Sequence, residues 1–375
     1  MGGTLQGLRV IEMAGLGPCP LAGQLLADMG AEVIVVDRGR DEGLTGGVNS
    51  RGKKSLIVNV KNDRGKEIVL KLVESADVLI EGFRPGVMER LGLGPDVCAA
   101  RNPGLVYGRM TGWGQEGPLS QSAGHDINYL SLTGALHAMG DKDRTPTPPL
   151  NLVADYGGGT MFLVTGVLAA LFERSRSGKG QVVDAAMVDG VPALMGLMHT
   201  LLAKGIWTNE RGANLLDGGA PFYRCYKCAD DKFVSVGALE RQFFAIVVEK
   251  LDLDEGWNSW RNDKSRWDEL TTILKDIFAG RTRDEWAALF EGTDACVAPV
   301  LDWDEVPKHP HMAERGNHVE IGGVMQAAPA PRFSRTASPL PPLPHATGAD
   351  TDTVLAELGY GEAEIAEMRK AGELA

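Results

Sequence analysis

The sequence lacks an excess of positive charge, and this limits the partners that the protein is expected to bind. Its 375 residues include 38 Lys and Arg against 50 Asp and Glu, so the formal net charge is −12. That balance argues against a nucleic-acid coat and against a polybasic membrane binder. Hydrophobic residues make up 43% of the chain and charged residues 23%, which is typical of a globular protein and excludes disorder as its main state. We therefore expect a small-molecule partner.

Cysteines and long apolar runs are also scarce. The five cysteines are scattered along the chain, unlike the dense disulfide framework of a small secreted domain. The N-terminus lacks the basic and apolar layout of a signal peptide, and the C-terminal Glu-Leu-Ala is not a peroxisomal address. The longest apolar run, residues 161–172, is too short to cross a bilayer and predicts a buried helix. Together these features predict a cytoplasmic protein.

Segments typical of strands and of helices alternate along much of the chain. Residues 31–37 form a nearly continuous apolar run, as a strand buried on both faces does. Such alternation indicates an α/β fold with a parallel sheet, and the Gly- and Pro-rich residues 111–159 indicate a long functional loop region. The predicted strands are 8–13, 31–37, 55–60, 77–80, 105–110 and 181–185, and the predicted helices among them are 21–29, 63–74, 161–174 and 187–203.

The same patterns predict two domains. A large Rossmann-like α/β domain is expected over residues 1–204, and residues 205–219 interrupt its rhythm as a linker. A smaller α+β domain is expected over 220–320, because a hairpin pattern is followed there by three helical stretches. Residues 321–345 are proline-rich and predict a second, extended linker. The C-terminal segment 330–375 is expected to return to the large domain.

Two partial motifs favour structural interpretations. The run Gly-Leu-Gly at 15–17, with Asp37 closing the next strand, resembles part of a dinucleotide fingerprint, but Pro20 stands where a third glycine is expected. A tight turn is therefore favoured over an NAD site. Cys225 and Cys228 have the spacing of a metal pair, but residues three apart on a strand point to opposite faces. We expect two packing cysteines and no metal site.

Positive charge is concentrated in one segment of this acidic chain. Residues 38–71 carry nine basic and four acidic side chains, at or just after the carboxyl ends of predicted parallel strands. Open α/β sheets bind ligands at that edge. A phosphate-bearing ligand explains the cluster, and a solvated positive face is the alternative. Arg84, which follows the next predicted strand, favours the ligand.

The segments 124–129 (GHDINY) and 151–159 (NLVADYGGG) each hold an ionisable residue among glycines. Histidine titrates near neutrality, and burial of an aspartate just before an apolar helix raises its pKa. His125 and Asp155 are therefore candidate acid–base groups. Taken alone, Asp155 is also explained as a helix cap, and His125 as a hydrogen-bonded structural histidine.

Sequence blocks at 124–129, 151–155, 178–185, 216–221 and 293–300 occur in an order that closely resembles the α-methylacyl-CoA racemases. These enzymes belong to the family III CoA-transferase superfamily, and the resemblance extends from about Leu5 to Phe333. It implies a large Rossmann-like domain, a smaller domain, and a homodimer whose two chains interlock.

The resemblance also implies which residues form the site. The two proton-transfer groups of the family match His125 and Asp155, and the Glu that orients the His matches Glu240, although Arg241 stands where the family has Pro. Coenzyme A-binding positions of the family match Arg38, Val58, Asn59, Val60, Lys61, Arg84, Gly124, Asp126 and Tyr129. Coenzyme A is then part of the substrate, and no metal or redox cofactor is implied.

The implied reaction interconverts (2R)- and (2S)-2-methylacyl-CoA thioesters through an enolate, with the backbone N–H of Asp126 as a candidate donor to the thioester oxygen. Methionines Met187, Met195 and Met198 would either guide the acyl chain or fill the core. Two other functions stay open: a CoA-transferase in which Asp155 is the nucleophile, and a non-catalytic CoA-binding protein. His125 favours the racemase, because a transferase needs no second acid–base group.

Overall fold

The computed structural model describes residues 2–39 and 47–374, and its contacts divide the chain into two units. The first unit comprises Met1–Thr133, Leu150–Leu194 and His311–Ala375, and the second comprises Gly134–Pro149 and Met195–Pro310. Residues 134–149 and 195–204, predicted to belong to the large domain, thus lie in the second unit, as does the predicted linker 205–219. Arg40, Asp41 and Glu42 of the basic segment, and Ala375, lie outside the described residues.

The strands of the described residues form three sheets. Their bounds are β1 (Arg9–Met13), β2 (Glu32–Asp37), β3 (Lys53–Ile57), β4 (Val78–Glu81), β5 (Val106–Thr111), β6 (Val182–Ala186), β7 (Tyr223–Lys227), β8 (Phe233–Gly237), β9 (Val297–Val300), β10 (His318–Ile321) and β11 (Val324–Ala327). The large sheet has the order β3-β2-β1-β4-β5-β6, with all neighbouring strands parallel. The predicted α/β class with a parallel sheet is confirmed.

The helices connect and cover these strands. Their bounds are α1 (Pro18–Asp28), α2 (Asp63–Ser75), α3 (Val87–Arg90), α4 (Pro95–Arg101), α5 (Asp126–Leu132), α6 (Met161–Ser177), α7 (Met187–Leu194), α8 (Gly196–Ala203), α9 (Arg241–Lys250), α10 (Trp257–Trp260), α11 (Trp267–Phe278), α12 (Arg283–Phe290), α13 (Pro310–Arg315), α14 (Thr351–Glu357) and α15 (Glu362–Lys370). A π-helical segment, Leu152–Thr160, leads directly into α6.

The order of the large sheet determines where a ligand crevice forms. Strand β1 lies between β2 and β4, with Val10 paired to Val33 on one side and to Val78 on the other. The chain therefore winds outward in opposite directions from β1 and β4, and connections at their carboxyl ends diverge. Open α/β sheets bind ligands at such a switch point. Residues 14–17 follow β1 there, and residues 82–85 follow β4.

Strand β3 is displaced toward the N-terminus relative to the predicted range 55–60. It begins at Lys53 because two lysines enter the sheet with glutamate partners, Lys53 with Glu12 and Lys54 with Glu32. It ends at Ile57 because the next residues form the connection to α2, whose N-cap, Asn62, accepts a hydrogen bond from the Gly65 N–H at 2.6 Å.

The predicted helix 187–203 also differs from the observed structure, because it is interrupted at Met195, between α7 and α8.

The π-helical segment and α6 together form a helix of 26 residues, Leu152–Ser177, with a hydropathy of 1.4. Its length and composition suffice to cross a membrane, but a core helix of a soluble protein has the same features. One face is buried, including Leu163, Val167 and Ala170, whereas Met161 is 51% and Phe172 66% exposed. The predicted buried helix 161–172 is thus buried on one face only.

The second unit has a core of its own. Strands β7, β8 and β9 form an antiparallel sheet, and aromatic residues from β7, α9 and α11 pack beside it. Cys225 lies exposed on β7, whereas Cys228 beyond the strand end is buried, and both are free thiols. One thiol is thus exposed and the other buried, and the reason differs from the predicted alternation along a strand, because Cys228 lies just beyond β7.

A buried ion pair ties β1, β3 and α1 together in the first unit. Lys53 Nζ lies 2.6 Å from Glu12 Oε2 and donates a second hydrogen bond to the Pro20 carbonyl at 2.8 Å. Both side chains are buried. Burial raises the pKa of Glu12, while the Lys53 charge opposes that rise.

The Lys53→Met variant is expected to lose about 3–5 kcal/mol of unfolding free energy at pH 7, because it leaves the Glu12 carboxylate buried without its cation. Without the opposing Lys53 charge the pKa of Glu12 is raised further, and a carboxyl group whose folded-state pKa lies above the unfolded value makes stability fall as pH rises. The difference in unfolding free energy between the variant and the wild type should therefore narrow toward acid pH. Urea unfolding at several pH values measures both effects.

The control is Lys179→Met, which removes an exposed lysine and should change stability by less than about 0.5 kcal/mol. The double variant Glu12→Leu/Lys53→Met should recover most of the loss. A single variant Lys53→Met as stable as wild type would contradict this account of the pair.

Candidate active site

Two cavities lie at the carboxyl edge of the large sheet, within the first unit. One, of about 460 Å³, is lined by residues that follow β4 and β5 and by His125, Asn128 and Tyr129. The other, of about 430 Å³, is lined by residues that follow β1, by Asp37, and by Asn151 and Tyr156. Both are at the switch point where the strand order predicts a ligand.

His125 precedes the first turn of α5 and lines the 460 Å³ cavity. Its backbone is extended, and its N–H donates to the Asn128 side-chain oxygen at 3.1 Å. That bond fixes the residue at the helix N-terminus, while the side chain itself is exposed. The imidazole is therefore held at the cavity wall with access to solvent and to a ligand.

Tyr129, one turn along α5, closes the inner side of the same cavity. Its ring meets the Trp113 ring edge-on at 4.8 Å, and its hydroxyl donates to the Gly124 carbonyl. Gly112 and Gly124 leave room for the ring, because a Cβ on either would overlap it. Burial and the charge of Asp155 raise the pKa of Tyr129, and the nearby charge of Arg84 opposes that rise.

Asp155 lies within the π-helical segment, so the sequence-based interpretation of it as a helix cap is wrong. Its carboxyl group is half-buried, and Asn151 Nδ2 donates to its Oδ2 at 3.5 Å. Burial raises the pKa of Asp155 and the charge of Asp126 adds to that rise, whereas Asn151 and His125 oppose it. The turn after β1 approaches it closely, because a Cβ on Gly17 would lie 3.5 Å from Asp155 Oδ2.

Asp126 connects the two candidate acid–base residues. It is the residue after His125, and its Oδ2 accepts hydrogen bonds from the backbone N–H groups of Ala154 at 2.9 Å and Asp155 at 2.8 Å. Helix α5 and the π-helical segment are thereby joined at this point. The fold thus brings His125 and Asp155 near each other from segments that are 30 residues apart in the sequence, so that the His125 charge acts on the Asp155 carboxyl group. His125 lines the 460 Å³ cavity, whereas Asp155 adjoins Gly17, which lines the 430 Å³ cavity.

The predicted coenzyme A-binding residues are distributed over the connections that follow β2, β3 and β4. Arg38 is exposed, with its guanidinium 5.1 Å from the Phe83 ring centre, and Arg84 and Lys61 are exposed as well. Val58 and Val60, in contrast, are buried in the core, so their side chains are not available to a ligand. Asn59 donates its N–H to the Glu373 carbonyl at 2.9 Å.

Most of the basic segment has partners within the protein. Arg51 is buried and paired with Asp28 at 2.6 Å, and Lys53 is buried with Glu12. Other members are paired at the surface, namely Lys54 with Glu32 and Glu357, Arg64 with Glu364 and Glu373, and Lys66 with Asp63. Most of the segment is therefore engaged within the protein, and Arg38, Lys61 and Lys71 are its members without a carboxylate partner among the described residues; Lys71 Nζ lies 4.1 Å from the Tyr360 ring centre.

Glu240 belongs to the second unit, where it is exposed and precedes α9. The buried Arg261 guanidinium donates to the carbonyls of Ala238 at 3.0 Å and Glu240 at 3.4 Å, which fixes the Glu240 backbone. Arg241 is the first residue of α9, where a backbone N–H needs no helical partner, so either Pro or Arg is accommodated.

The three methionines differ in their environments. Met187 is buried in the first unit beside Gly159, so the idea that it guides an acyl chain is wrong and it fills the core. Met195 and Met198 line a largely apolar cavity of about 320 Å³ in the second unit, together with Met139 and Trp207.

Among residues 2–39 and 47–374, no group of three His, Cys, Asp or Glu side chains lies close enough together to hold a metal ion.

Comparison with known proteins gives consistent matches over the chain. A family model described as CoA-transferase family III matches residues 5–351. Alpha-methylacyl-CoA racemase of Mus musculus is 44% identical, covering 97% of this chain and 96% of that protein, and the Homo sapiens enzyme is 42% identical with the same coverages. The crystal structure of a CAIB/BAIF family protein from Brucella suis superposes with a TM-score of 0.81 at 26% identity, covering 96% of this chain and 100% of that one.

The Gly112→Ala variant tests the packing of the cavity wall. Its new Cβ would overlap the Tyr129 ring, so the ring must leave its position against Trp113. We expect a loss of about 1–3 kcal/mol in stability, as for other overpacked sites, and a weaker near-ultraviolet circular dichroism signal. Gly196→Ala has open space around it and serves as the control. A Gly112→Ala protein with the wild-type spectrum and stability would contradict the described wall.

Proposed function

The chain belongs to the CoA-transferase family III, and from that premise we propose that it is a racemase that interconverts (2R)- and (2S)-2-methylacyl-CoA thioesters. One observation carries this proposal: His125 and Asp155, two different acid–base groups, lie close enough for the His125 charge to act on the Asp155 carboxyl group, and the pKa of Asp155 is raised by burial and by the charge of Asp126. The near full-length similarity to two racemases supports the same reaction.

Inversion at carbon 2 of the thioester requires removal of a hydrogen from one face and return of a hydrogen to the other. A single base tends to return the proton to the face from which it came. In our proposal His125 and Asp155 flank carbon 2 from opposite sides, so that each acts as base in one direction and as acid in the other. Asp155 approaches from the π-helical segment and His125 from the start of α5, which is compatible with two sides.

Each group must then be present in both protonation states. In one direction neutral His125 accepts the proton and protonated Asp155 delivers one, and in the other direction the states are exchanged. An ordinary aspartate is almost wholly ionised at neutral pH. The raised pKa of Asp155, caused by burial and by the charge of Asp126, increases its protonated fraction and supports the acid role.

The charge that develops on the thioester oxygen needs hydrogen-bond donors. The backbone N–H of Asp126 is the first of α5 and has no partner four residues earlier within the helix. We assign it as a donor to that oxygen in the enolate state. For Glu240 we propose the positioning role that the family motif implies.

The alternative function is a CoA-transferase in which Asp155 attacks the thioester. A nucleophile must be ionised, and a raised pKa lowers the ionised fraction of Asp155. His125 would also have no role in that reaction. Trapping of an acyl group on Asp155 by hydroxylamine, with dependence on a second carboxylic acid, would establish the transferase instead.

The coenzyme A part is proposed to bind along the carboxyl edge of the sheet. Exposed Arg38, Lys61 and Arg84 would bind its phosphates, the backbone of 58–61 and of Gly124 would line its path, and Tyr129 would border the reactive end. We propose no metal or redox cofactor, because proton transfer through an enolate requires none.

We further propose an interlocked homodimer in the cytoplasm, without membrane or nucleic-acid partners. Apolar side chains on the outer side of the first unit support a protein partner, since Phe172 is 66% and Leu194 54% exposed. The five cysteines are free thiols, which supports a reducing compartment.

Racemisation in D₂O tests the function. The wild-type protein should interconvert the epimers of a 2-methylacyl-CoA and incorporate deuterium at carbon 2, detected by chiral chromatography with mass spectrometry. His125→Ala and Asp155→Asn should each lower the rate on the order of 10²- to 10⁴-fold, the usual contribution of an acid–base group. His311→Ala and Asp189→Asn are matched controls at exposed positions. Racemisation at the wild-type rate in either site variant would refute the assignment.

Titration calorimetry with coenzyme A tests the phosphate site. Arg84→Ala should weaken binding on the order of 10- to 100-fold, as expected for loss of a charge-assisted hydrogen bond, and the affinity should decline with added salt. Arg90→Ala, on the neighbouring exposed surface, is the control. Equal affinities of both variants would exclude Arg84 from the site.

A further inference from the structure

We propose that the Asp126 side chain is a positioning residue for the racemase reaction: it fixes the backbone of Asp155 and holds a negative charge beside the Asp155 carboxyl group. This inference rests on the proposed function and deepens it. It concerns the carboxylate of Asp126, whereas the oxyanion role assigned above belongs to its backbone N–H.

The positioning rests on geometry. Asp126 Oδ2 accepts from the N–H groups of Ala154 and Asp155, at 2.9 and 2.8 Å, and therefore connects the π-helical segment to α5. In a π-helix the early N–H groups have no partner within the helix. One carboxylate oxygen satisfies two of them and sets the position of Asp155 relative to the residue that follows His125.

The second oxygen of Asp126 shows that hydrogen bonding alone does not explain the residue. Asp126 is only 7% exposed, and its Oδ1 is buried with no hydrogen-bond partner among the described residues. A neutral amide in its place would accept the same two hydrogen bonds at a lower desolvation cost. A buried carboxylate at this position is therefore explained by what its charge does to a neighbour.

That neighbour is Asp155. The charged or titratable groups that face its carboxyl group are Asp126 and His125 from the α5 region and Tyr129 from α5 itself, and Asn151 adds a hydrogen bond from the residue before the π-helical segment. After burial, the Asp126 charge is the cause that raises the pKa of Asp155 most. Removal of this charge should lower the pKa of Asp155 and, with it, the fraction that can deliver a proton at neutral pH.

The variant Asp126→Asn separates charge from hydrogen bonding, because its amide oxygen can still accept both bonds. In the direction in which Asp155 is the base, we expect the acid-side limb of the kcat/KM profile to move to lower pH, since Asp155 then stays ionised to lower pH. In the opposite direction, in which protonated Asp155 is the acid, the alkaline limb should move to lower pH and kcat at neutral pH should fall. KM should change little. Asp126→Ala loses both hydrogen bonds as well and should lower kcat on the order of 10²-fold, as for a misplaced catalytic group. Asp189→Asn, the same change at an exposed position on α7, is the control.

A direct titration keeps this inference separate from the proposed function. Carbon-13 NMR of aspartate side chains, with Asp155→Asn to assign the signal, reports the pKa of Asp155 without any substrate. It should lie lower in Asp126→Asn than in wild type and in Asp189→Asn. The Asp126→Ser variant, which is neutral and can accept one hydrogen bond, must shift the pKa of Asp155 in the same direction. It provides the test if Asp126→Asn does not fold.

The outcomes are distinct. A protein that racemises its substrate but shows the same Asp155 titration with and without the Asp126 charge would overturn this inference and leave the function intact. A protein without racemase activity, in which the Asp155 titration still moves as expected, would overturn the function and leave the coupling between the two aspartates.

Discussion

Burial of the Asp155 carboxyl group is the constraint on which the rest of the site depends. A carboxyl group in water is a poor proton donor at neutral pH, and proton delivery to an enolate requires one that is protonated for part of the time. The fold removes water from one side of Asp155 with the π-helical segment and the close turn at Gly17, and it adds a like charge at Asp126. Access from the other side is kept, because the residue is only half-buried.

Buried ion pairs hold the connections around this site. Lys53 pairs with Glu12 and also donates to Pro20 in the first turn of α1, and Glu81 pairs with Arg109 and also accepts from the Phe83 N–H at 2.7 Å. Glu12 is the last but one residue of β1 and Glu81 is the last residue of β4, so each pair fixes a connection beside the switch point, at Pro20 and at Phe83. Their contribution to net stability is small or negative compared with apolar side chains, but breaking one is costly. The charges thus fix loop positions that apolar packing alone would specify less closely.

Much of this could be predicted from the sequence. Apolar runs such as 31–37 indicate buried parallel strands, and matching blocks around His125 and Asp155 indicate the family. Other features depend on tertiary contacts that have no local signal. The π-helical geometry at Asp155 depends on a carboxylate 29 residues earlier in the chain, and the pairing of Arg51 with Asp28 spans 23 residues. A run of positive charge therefore indicated a phosphate site, although most of its members pair with acidic side chains of the same chain. The adjacent ionisable residues His125 and Asp126 were the only signal that the Asp126 side chain itself has a role.

The account depends most on two groups that act from opposite faces of carbon 2, and one experiment examines that claim directly. Each pure epimer of a 2-methylacyl-CoA is incubated in D₂O with His125→Ala and, separately, with Asp155→Asn, and deuterium in the recovered, uninverted thioester is measured by mass spectrometry. We expect each variant to exchange the hydrogen of one epimer only, with the two variants selecting opposite epimers. Exchange of the same epimer by both variants would contradict the account.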